Sequence, residues 1–548
     1  MQSRWVGRGL AAGGVAALGA LALVWAFPVY FRADDALYLE WASGHPNPLA
    51  AFTPGQASLV GVFRPLQNLA WWSMFRVFGL RPEPYQLLDT LLFLACLGLL
   101  VRLGWRLFSG GAGWWSLGVF LVFFPYLVSV VFWFSDLSFL LESALILGAI
   151  NLLVEAFAGR VGFGWAGLAY VLAVLAKEPA AFIVPAASGA LLLADWGRLD
   201  LRLRMRGLAA VASLVAVGAA AALLHPSLHG RRGALLAGGW GGFAAFFGER
   251  WQAYSSQLMA GPGAGLVALA LLGVWLHLRP RDGPRSLTIW LPAIVAAGAA
   301  MLLRGVPSIA TAVMVGALLA QVGFRRREGV GAVWFAVPLV GLLTIEFVVR
   351  TYLFEAAFGL ALVAGATLAG LLCEVWADLR RMPRVLVLVL TLALGLASAV
   401  GAPRVADHLR TRLTALELVS AARLNFRDMV EALLAPACPP DAIVVVDYGD
   451  MGLDYIRDIL PLPDIEKARR QKTMMTHELA AFLKVAGGHT REVMTLSAFM
   501  RLPSRTRALI IVMNSTEDAL VDTLPLQQSV LAERVRCGEL ARVYSTVR

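Results

Sequence analysis

"QLLDTLLFLACLGLLVRLGWRLF", Gln86 to Phe108, is an apolar run closed by two arginines, Arg102 and Arg106. A helix needs about 20 such residues to cross a bilayer. The chain offers further runs near 9–30, 113–134, 138–157, 162–177, 180–195, 207–224, 262–278, 287–303, 306–322, 331–349, 353–373 and 384–401. Its 548 residues are 59% hydrophobic and 15% charged, whereas soluble domains are roughly half apolar and a quarter charged. The expectation is a polytopic α-helical membrane protein with about 13 transmembrane helices.

Arg and Lys in short gaps set the orientation of such a chain. With the N-terminus in the cytoplasm, the inner gaps receive Arg4/Arg8, Arg102/Arg106, Arg160, Arg198/Arg202/Arg204/Arg206, Arg279/Arg281/Arg285, Arg325/Arg326/Arg327 and Arg380/Arg381/Arg384. The outer gaps are poor in basic residues: 134–138 has none, and Lys177, Arg304 and Arg350 stand alone. This pattern accounts for most of the formal charge of +11 and argues against nucleic acid as a partner. It predicts a multi-pass inner (plasma) membrane protein with its C-terminal part on the periplasmic side. The first run lacks a small-residue cleavage site before "AFPVYF", so it reads as an uncleaved span.

Two outer segments, about 31–85 and 225–261, are too long for turns. In the first, Leu66, Leu69, Trp72, Phe75 and Phe78 recur at helical spacing, as in a helix lying in the membrane interface. The second, with "GGWGGFAAFFGERW", reads as a surface lid. Past the spans of a 1–402 membrane domain, "DAIVVVDYGD" and "RALIIVMNS" are β-branched runs separated by helix-like stretches such as "HELAAFLKVAGG". Residues 403–548 are therefore expected to form an extracytoplasmic α/β domain. Cys438 and Cys537 fall in it and are candidates for one disulfide, two buried thiols being the alternative. Cys96 and Cys373 sit in apolar runs and are expected to pack there.

A charge near hydrocarbon costs on the order of 2.5–3.5 kcal/mol on insertion scales, so one that stays there needs a reason. The outward-side charges are Asp34, Asp35, Arg64, Asp136, Lys177, Glu178, Arg304, Glu346, Arg350 and Glu355. Asp34 and Asp35, in "FRADDALYLEW", are the sharpest case. Adjacent carboxylates repel, which leaves one anionic and suited to accept a proton. Simple solvation is the bland alternative, and a divalent cation held between the two is a competing use. Either Lys177 and Glu178 form a mutual ion pair at a turn, or Lys177 points to an anionic headgroup with Arg64, Arg304 and Arg350 as further cations for phosphate oxygens. Asp447 and Asp450 are turn acids or glycan ligands.

Soluble-enzyme signatures are missing. "GRGLAA" at 7–12 opens an apolar run with no strand before it, and no Walker loop, HExxH or GxSxG occurs. His225 and His229 read as ordinary loop residues, and without a nucleotide-binding loop the chain would need an already activated substrate.

"FRADDALYLEW", "GVFRPLQNLAWWSMFRVFGLRPEPYQLLDTLLFLACLGLLVRL", "VVFWFSDLSFLLESALILGAINLL" and "AVLAKEPAAFIVPAA" together resemble the GT-C glycosyltransferases that use polyprenyl-phosphate sugars. The likeness is to the branch related to protein O-mannosyltransferases and lipid A aminoarabinose transferases, and it covers roughly residues 1–200. "VVRTYLFEAAFGLALVAG" looks like a late segment of the same family. The resemblance implies an inverting transfer from a lipid-phosphate sugar to an acceptor hydroxyl on a glycan, lipid or protein at the outer face. Asp34 or Asp35 would be the base. Lys177, Arg350, Arg304 and Arg64 would bind the donor phosphate, with Glu178 and Asp136 in support. No cofactor is implied beyond a possible divalent cation. A transporter or flippase of lipid-linked glycans, or a catalytically silent scaffold, would share the span count, but the sequence has neither two similar halves nor broken mid-membrane helices.

Overall fold

The computed structural model describes most of residues 30–379, apart from 32–33, 54–62, 225–238, 279–294, 343–352 and shorter gaps, together with scattered stretches between 427 and 546. Among the described residues the helices are α1 (Asp35–Gly44), α2 (Pro65–Phe78), α3 (Pro82–Leu107), α4 (Ala112–Leu127), α5 (Leu137–Phe157), α6 (Phe163–Ala176), α7 (Ala180–Asp195) and α8 (Leu201–Leu224). They continue as α9 (Gly239–Met259), α10 (Gly263–Leu278), α11 (Pro307–Gly323), α12 (Glu328–Leu342) and α13 (Leu353–Leu379).

Four of these, α3, α5, α8 and α13, are long and apolar enough to cross a membrane. Six further expected spans are described as apolar helices over 10–17 residues. The protein is a multi-pass helical membrane bundle. The expected spans at 9–30, 287–303 and 384–401 lie wholly or mostly outside the described residues.

The bundle alternates direction, so its two ends carry different charges. Asp136, Lys177 and Glu355 sit at the starts of α5 and α13 and the end of α6, while Arg106, Glu155, Asp195 and Arg327 gather at the opposite ends of α3, α5, α7 and α12. One core cluster runs through α3 to α7 and α10 to α13, with Trp334, Phe335, Phe354 and Phe358 fully buried in it. Cys96 is buried there, whereas Cys373 is exposed, contrary to the expectation that both pack.

Backbones approach closely where α12 crosses α13. A Cβ on Gly359 would lie 2.5 Å from the carbonyl oxygen of Gly331 and 2.5 Å from the Phe335 nitrogen. Small residues permit such crossings between membrane helices. Gly359→Leu is therefore expected to destabilise the bundle by about 1–3 kcal/mol. Gly316→Leu, at a position with nothing within 4 Å, should leave thermal unfolding in detergent unchanged.

The first loop folds tightly against the bundle. α2 buries Pro65, Gln67, Asn68 and Trp71, a face the apolar spacing did not mark. The expected stripe lies on its other side: Leu69, Trp72 and Phe75 pack on Trp41, Ala42, Ala50 and Ala51, and Phe78 is exposed. In the second long segment, the part expected as a surface lid is helical from Gly239 and packs on α11, with Tyr254 buried and Trp251 Nε1 donating to the Ser308 carbonyl oxygen at 3.2 Å.

Beyond 426, five short strands are described: β1 (Ile443–Asp447), β2 (Val493–Thr495), β3 (Ala508–Val512), β4 (Leu531–Arg534) and β5 (Val543–Thr546). They form one sheet in the order β2-β1-β3-β5-β4, with β1 parallel to β2 and β3, and β5 antiparallel to β3 and β4. A helix over 479–487, α14, packs against the first loop rather than only against the sheet. Phe482 lies 6.0 Å from Phe31 and 5.9 Å from Tyr30 between ring centroids, and Lys484 Nζ reaches Glu40 Oε1 at 2.7 Å. The 403 boundary, the joins between strands, Cys438, Cys537 and Asp450 lie outside the described residues.

Candidate functional site

A carboxylate in the first turn of a helix meets the positive end of the helix dipole, and Asp35 occupies that place in α1. Its side chain is fully buried, and Oδ1 accepts a hydrogen bond from the Ser135 backbone N–H at 2.7 Å. The carbonyl oxygen of the same Ser135 accepts from Gln67 Nε2 at 2.6 Å. The two peptide groups flanking Ser135, in the short turn before α5, are thus each held by a residue of the first loop. That hold sets Asp136, the next residue, beside the loop, where it too is buried.

Aromatic rings wall this junction. Tyr38 stacks on Trp71 at 5.3 Å and 13°, Trp71 meets Tyr85 at 5.2 Å, and Phe31 stands edge-on to Tyr85 at 5.0 Å and to Phe134 at 5.4 Å. Such pairs contribute about 0.5–1.5 kcal/mol beyond burial. Asp34, one residue before α1, is half-buried rather than enclosed. Burial pushes the Tyr38 hydroxyl up to about 12; the Arg64 charge pulls it back, and the charges of Asp34, Glu178 and Asp136 raise it. The phenol therefore stays protonated at neutral pH, and four charged groups from three separate segments lie within electrostatic reach of it.

Two cations complete this end of the bundle. Arg64 Nη2 approaches Glu178 Oε2 at 3.3 Å, both side chains being about one-fifth exposed at 20% and 18%. Lys177 is buried, with Nζ bonded to Glu355 Oε1, 3.8 Å from Glu142 Oε2 and 3.1 Å above the centre of the Phe139 ring. Glu142 Oε1 accepts from the backbone N–H of Ala180 at 2.6 Å, at the first residue of α7. The reading of Lys177 and Glu178 as a mutual ion pair is corrected here. Lys177 is extended, at φ −165° and ψ 152°, and successive side chains of extended backbone point to opposite sides, so the two residues take different partners.

The structure brings Asp34, Asp35, Arg64, Asp136, Lys177 and Glu178 to one end of the bundle. Arg304, Arg350, His225 and His229 lie outside the described residues. Glu142, Gln67 and Ser135 were not singled out from sequence. Glu142 carried a signal, being an acid well inside the apolar run 138–157, whose other acid, Glu155, lies close to its end. The fit to a divalent cation is poor: Asp35 gives Oδ1 to Ser135, and among the described residues no group of three or more His, Cys, Asp or Glu is placed to hold a metal ion.

No family model matches the chain, and no curated protein matches it. The structure is similar to that of ArnT from Cupriavidus metallidurans. In the apo state the identity is 15% and the TM-score 0.43, covering 99% of this chain and 98% of that one. Bound to undecaprenyl phosphate, the figures are 14% and 0.39, covering 100% and 98%. The archaeal oligosaccharyltransferase AglB from Archaeoglobus fulgidus, in complex with an inhibitory peptide and a dolichol-phosphate, shows 12% identity and a TM-score of 0.42 over 82% of this chain and 63% of that one. At identities and scores this low, function is argued from the site.

Proposed function

We propose that the protein is a membrane glycosyltransferase that moves a sugar from a polyprenyl-phosphate donor to an acceptor hydroxyl at the outer face of the membrane. The observation that carries this reading is the meeting of Asp34, Asp35 and Arg64 of the first loop with Asp136 and the Lys177–Glu178 turn. A half-buried carboxylate that substrate can reach, backed by a rigid buried one, suits general-base work. Asp34 is the base. Asp35, committed to Ser135, is its positioning partner.

In the reaction Asp34 takes the acceptor hydroxyl proton while that oxygen forms a bond to the anomeric carbon from the face opposite the phosphate. The carbon–oxygen bond to phosphate breaks, the configuration inverts, and lipid phosphate leaves as an anion. Cations must meet that charge. Arg64 and Lys177 are the described candidates, but Asp34, Asp35, Asp136, Glu142, Glu178 and Glu355 surround them with carboxylates. Phosphate binding on this side therefore also calls on Arg304 and Arg350. Residues 1–402 form the membrane domain, with the N-terminus cytoplasmic, and 403–548 an extracytoplasmic α/β domain that meets the glycan, lipid or protein acceptor.

Comparative mass spectrometry of envelope glycans from a strain lacking the gene tests the reading and names sugar and acceptor together. The expected result is loss of one sugar substituent, restored by the wild-type gene. Loss of the same substituent with the lipid-linked sugar trapped in the inner leaflet would instead mark a flippase, and an unchanged set of glycans would overturn the reading.

A further inference from the structure

The far end of the bundle holds a cluster that the reaction does not use. Glu155, at the end of α5 and nearly buried at 7% side-chain exposure, is ion-paired with three guanidinium groups, of which Arg160 also donates a hydrogen bond to it. Arg106 Nε is 2.9 Å and Arg102 Nη2 3.6 Å from Oε1, and Arg160 Nη1 is 2.8 Å from Oε2. The neighbouring acid cannot help, because Asp195 is gripped by both ends of Arg327 at 2.9 Å each. Among the described residues, one carboxylate thus answers three positive charges. The side chains of Arg102, Arg106 and Arg160 are 52%, 43% and 57% exposed, and the N–H groups that Glu155 does not take have room for an anion.

The surroundings say which anion. Trp105, Trp115 and Trp165 are exposed at the same end of α3, α4 and α6, as aromatic side chains are at the headgroup level of a bilayer. Up the outer face of α3 from Arg102 come Gly98, Ala95 and Leu91, all exposed and at helical spacing. Gly98 has nothing within 4 Å of where a Cβ would sit, so the face is shallow there. A phosphate at the arginines would have an apolar path beside it along the helix.

We infer that Arg102, Arg106 and Arg160 bind the phosphodiester headgroup of an anionic phospholipid, with one acyl chain lying along the Gly98 face of α3. Basic pockets between spans are suited to such headgroups, each Lys or Arg near the surface contributing about 1 kcal/mol. The ligand is a resident lipid of the leaflet opposite the first-loop acids, so the inference stands apart from the reaction proposed above.

The test is native mass spectrometry of the purified full-length protein in mild detergent, titrated with phosphatidylglycerol or phosphatidylcholine. Phosphatidylglycerol should be retained as a discrete adduct and phosphatidylcholine should not. R102Q/R160Q removes two charges and is expected to weaken retention roughly 30-fold, while R202Q/R206Q, basic residues of α8 outside the cluster, should retain it as the wild type does. Should R102Q/R160Q fold poorly, Glu155→Gln serves instead: it removes the competing carboxylate, and retention should rise. Equal retention of both lipids, equal loss in R202Q/R206Q, weaker binding in Glu155→Gln, or displacement of the lipid by millimolar inorganic phosphate would each overturn the assignment.

Discussion

Asp34→Asn is expected to lower sugar transfer from polyprenyl phosphate in isolated membranes by about 10²–10⁴-fold, the range over which a general base contributes, with little change in the amount of folded protein. Asparagine keeps the shape and the hydrogen-bonding oxygen but cannot take a proton at neutral pH. The neighbouring position separates two roles. Asp35→Asn can still accept from the Ser135 N–H through its amide oxygen, so the turn before α5 should hold; Asp35→Ala leaves that buried N–H without its acceptor, at a cost of about 1–3 kcal/mol. If Asp34→Asn retains wild-type transfer while Asp35→Asn loses it, the two acids exchange roles. If both asparagine variants at normal expression retain transfer, the glycosyltransferase reading fails.

Lys177→Met carries the largest stability effect. The substitution fits the volume but strands Glu142 and Glu355, both buried, without the cation that lies between them. Breaking a buried charge set in this way costs about 3–5 kcal/mol, whereas replacing the whole set by neutral groups is often close to neutral. The triple variant K177M/E142Q/E355Q should therefore regain most of the thermal unfolding temperature that Lys177→Met loses, measured on detergent-purified protein. Transfer is the second readout. Stability restored with transfer still low would tie Lys177 to the leaving phosphate. Stability and transfer restored together would make the trio structural only.

The spans among the described residues were legible because a long apolar run has no other good use, and because arginines mark where several of them end. Arg102, Arg106 and Arg160 lie at one end of the bundle and Asp136, Lys177 and Glu355 at the other, as the alternation of basic gaps required. Partners were not legible. Lys177 and Glu178 are adjacent in sequence, but extended backbone turns them apart, and the ligands that Lys177 finds come from positions 142 and 355. Nor did the spacing of Leu66, Leu69 and Trp72 disclose the buried face of α2. That face is polar because Gln67 reaches a backbone carbonyl on another segment, and a hydrophobic pattern carries no record of such a bond. Asp34 and Asp35 could be flagged together, but only burial tells the half-open one from the enclosed one.

Phe482 touches the ring of Phe31, which in turn abuts the rings that flank the first acids. Inheritance is constrained by that contact. A lineage that exchanged its C-terminal region for another would have to supply an equivalent aromatic plug or repack the rings beside Asp35. Change in the C-terminal region and constancy of the first loop are therefore not independent histories in this chain.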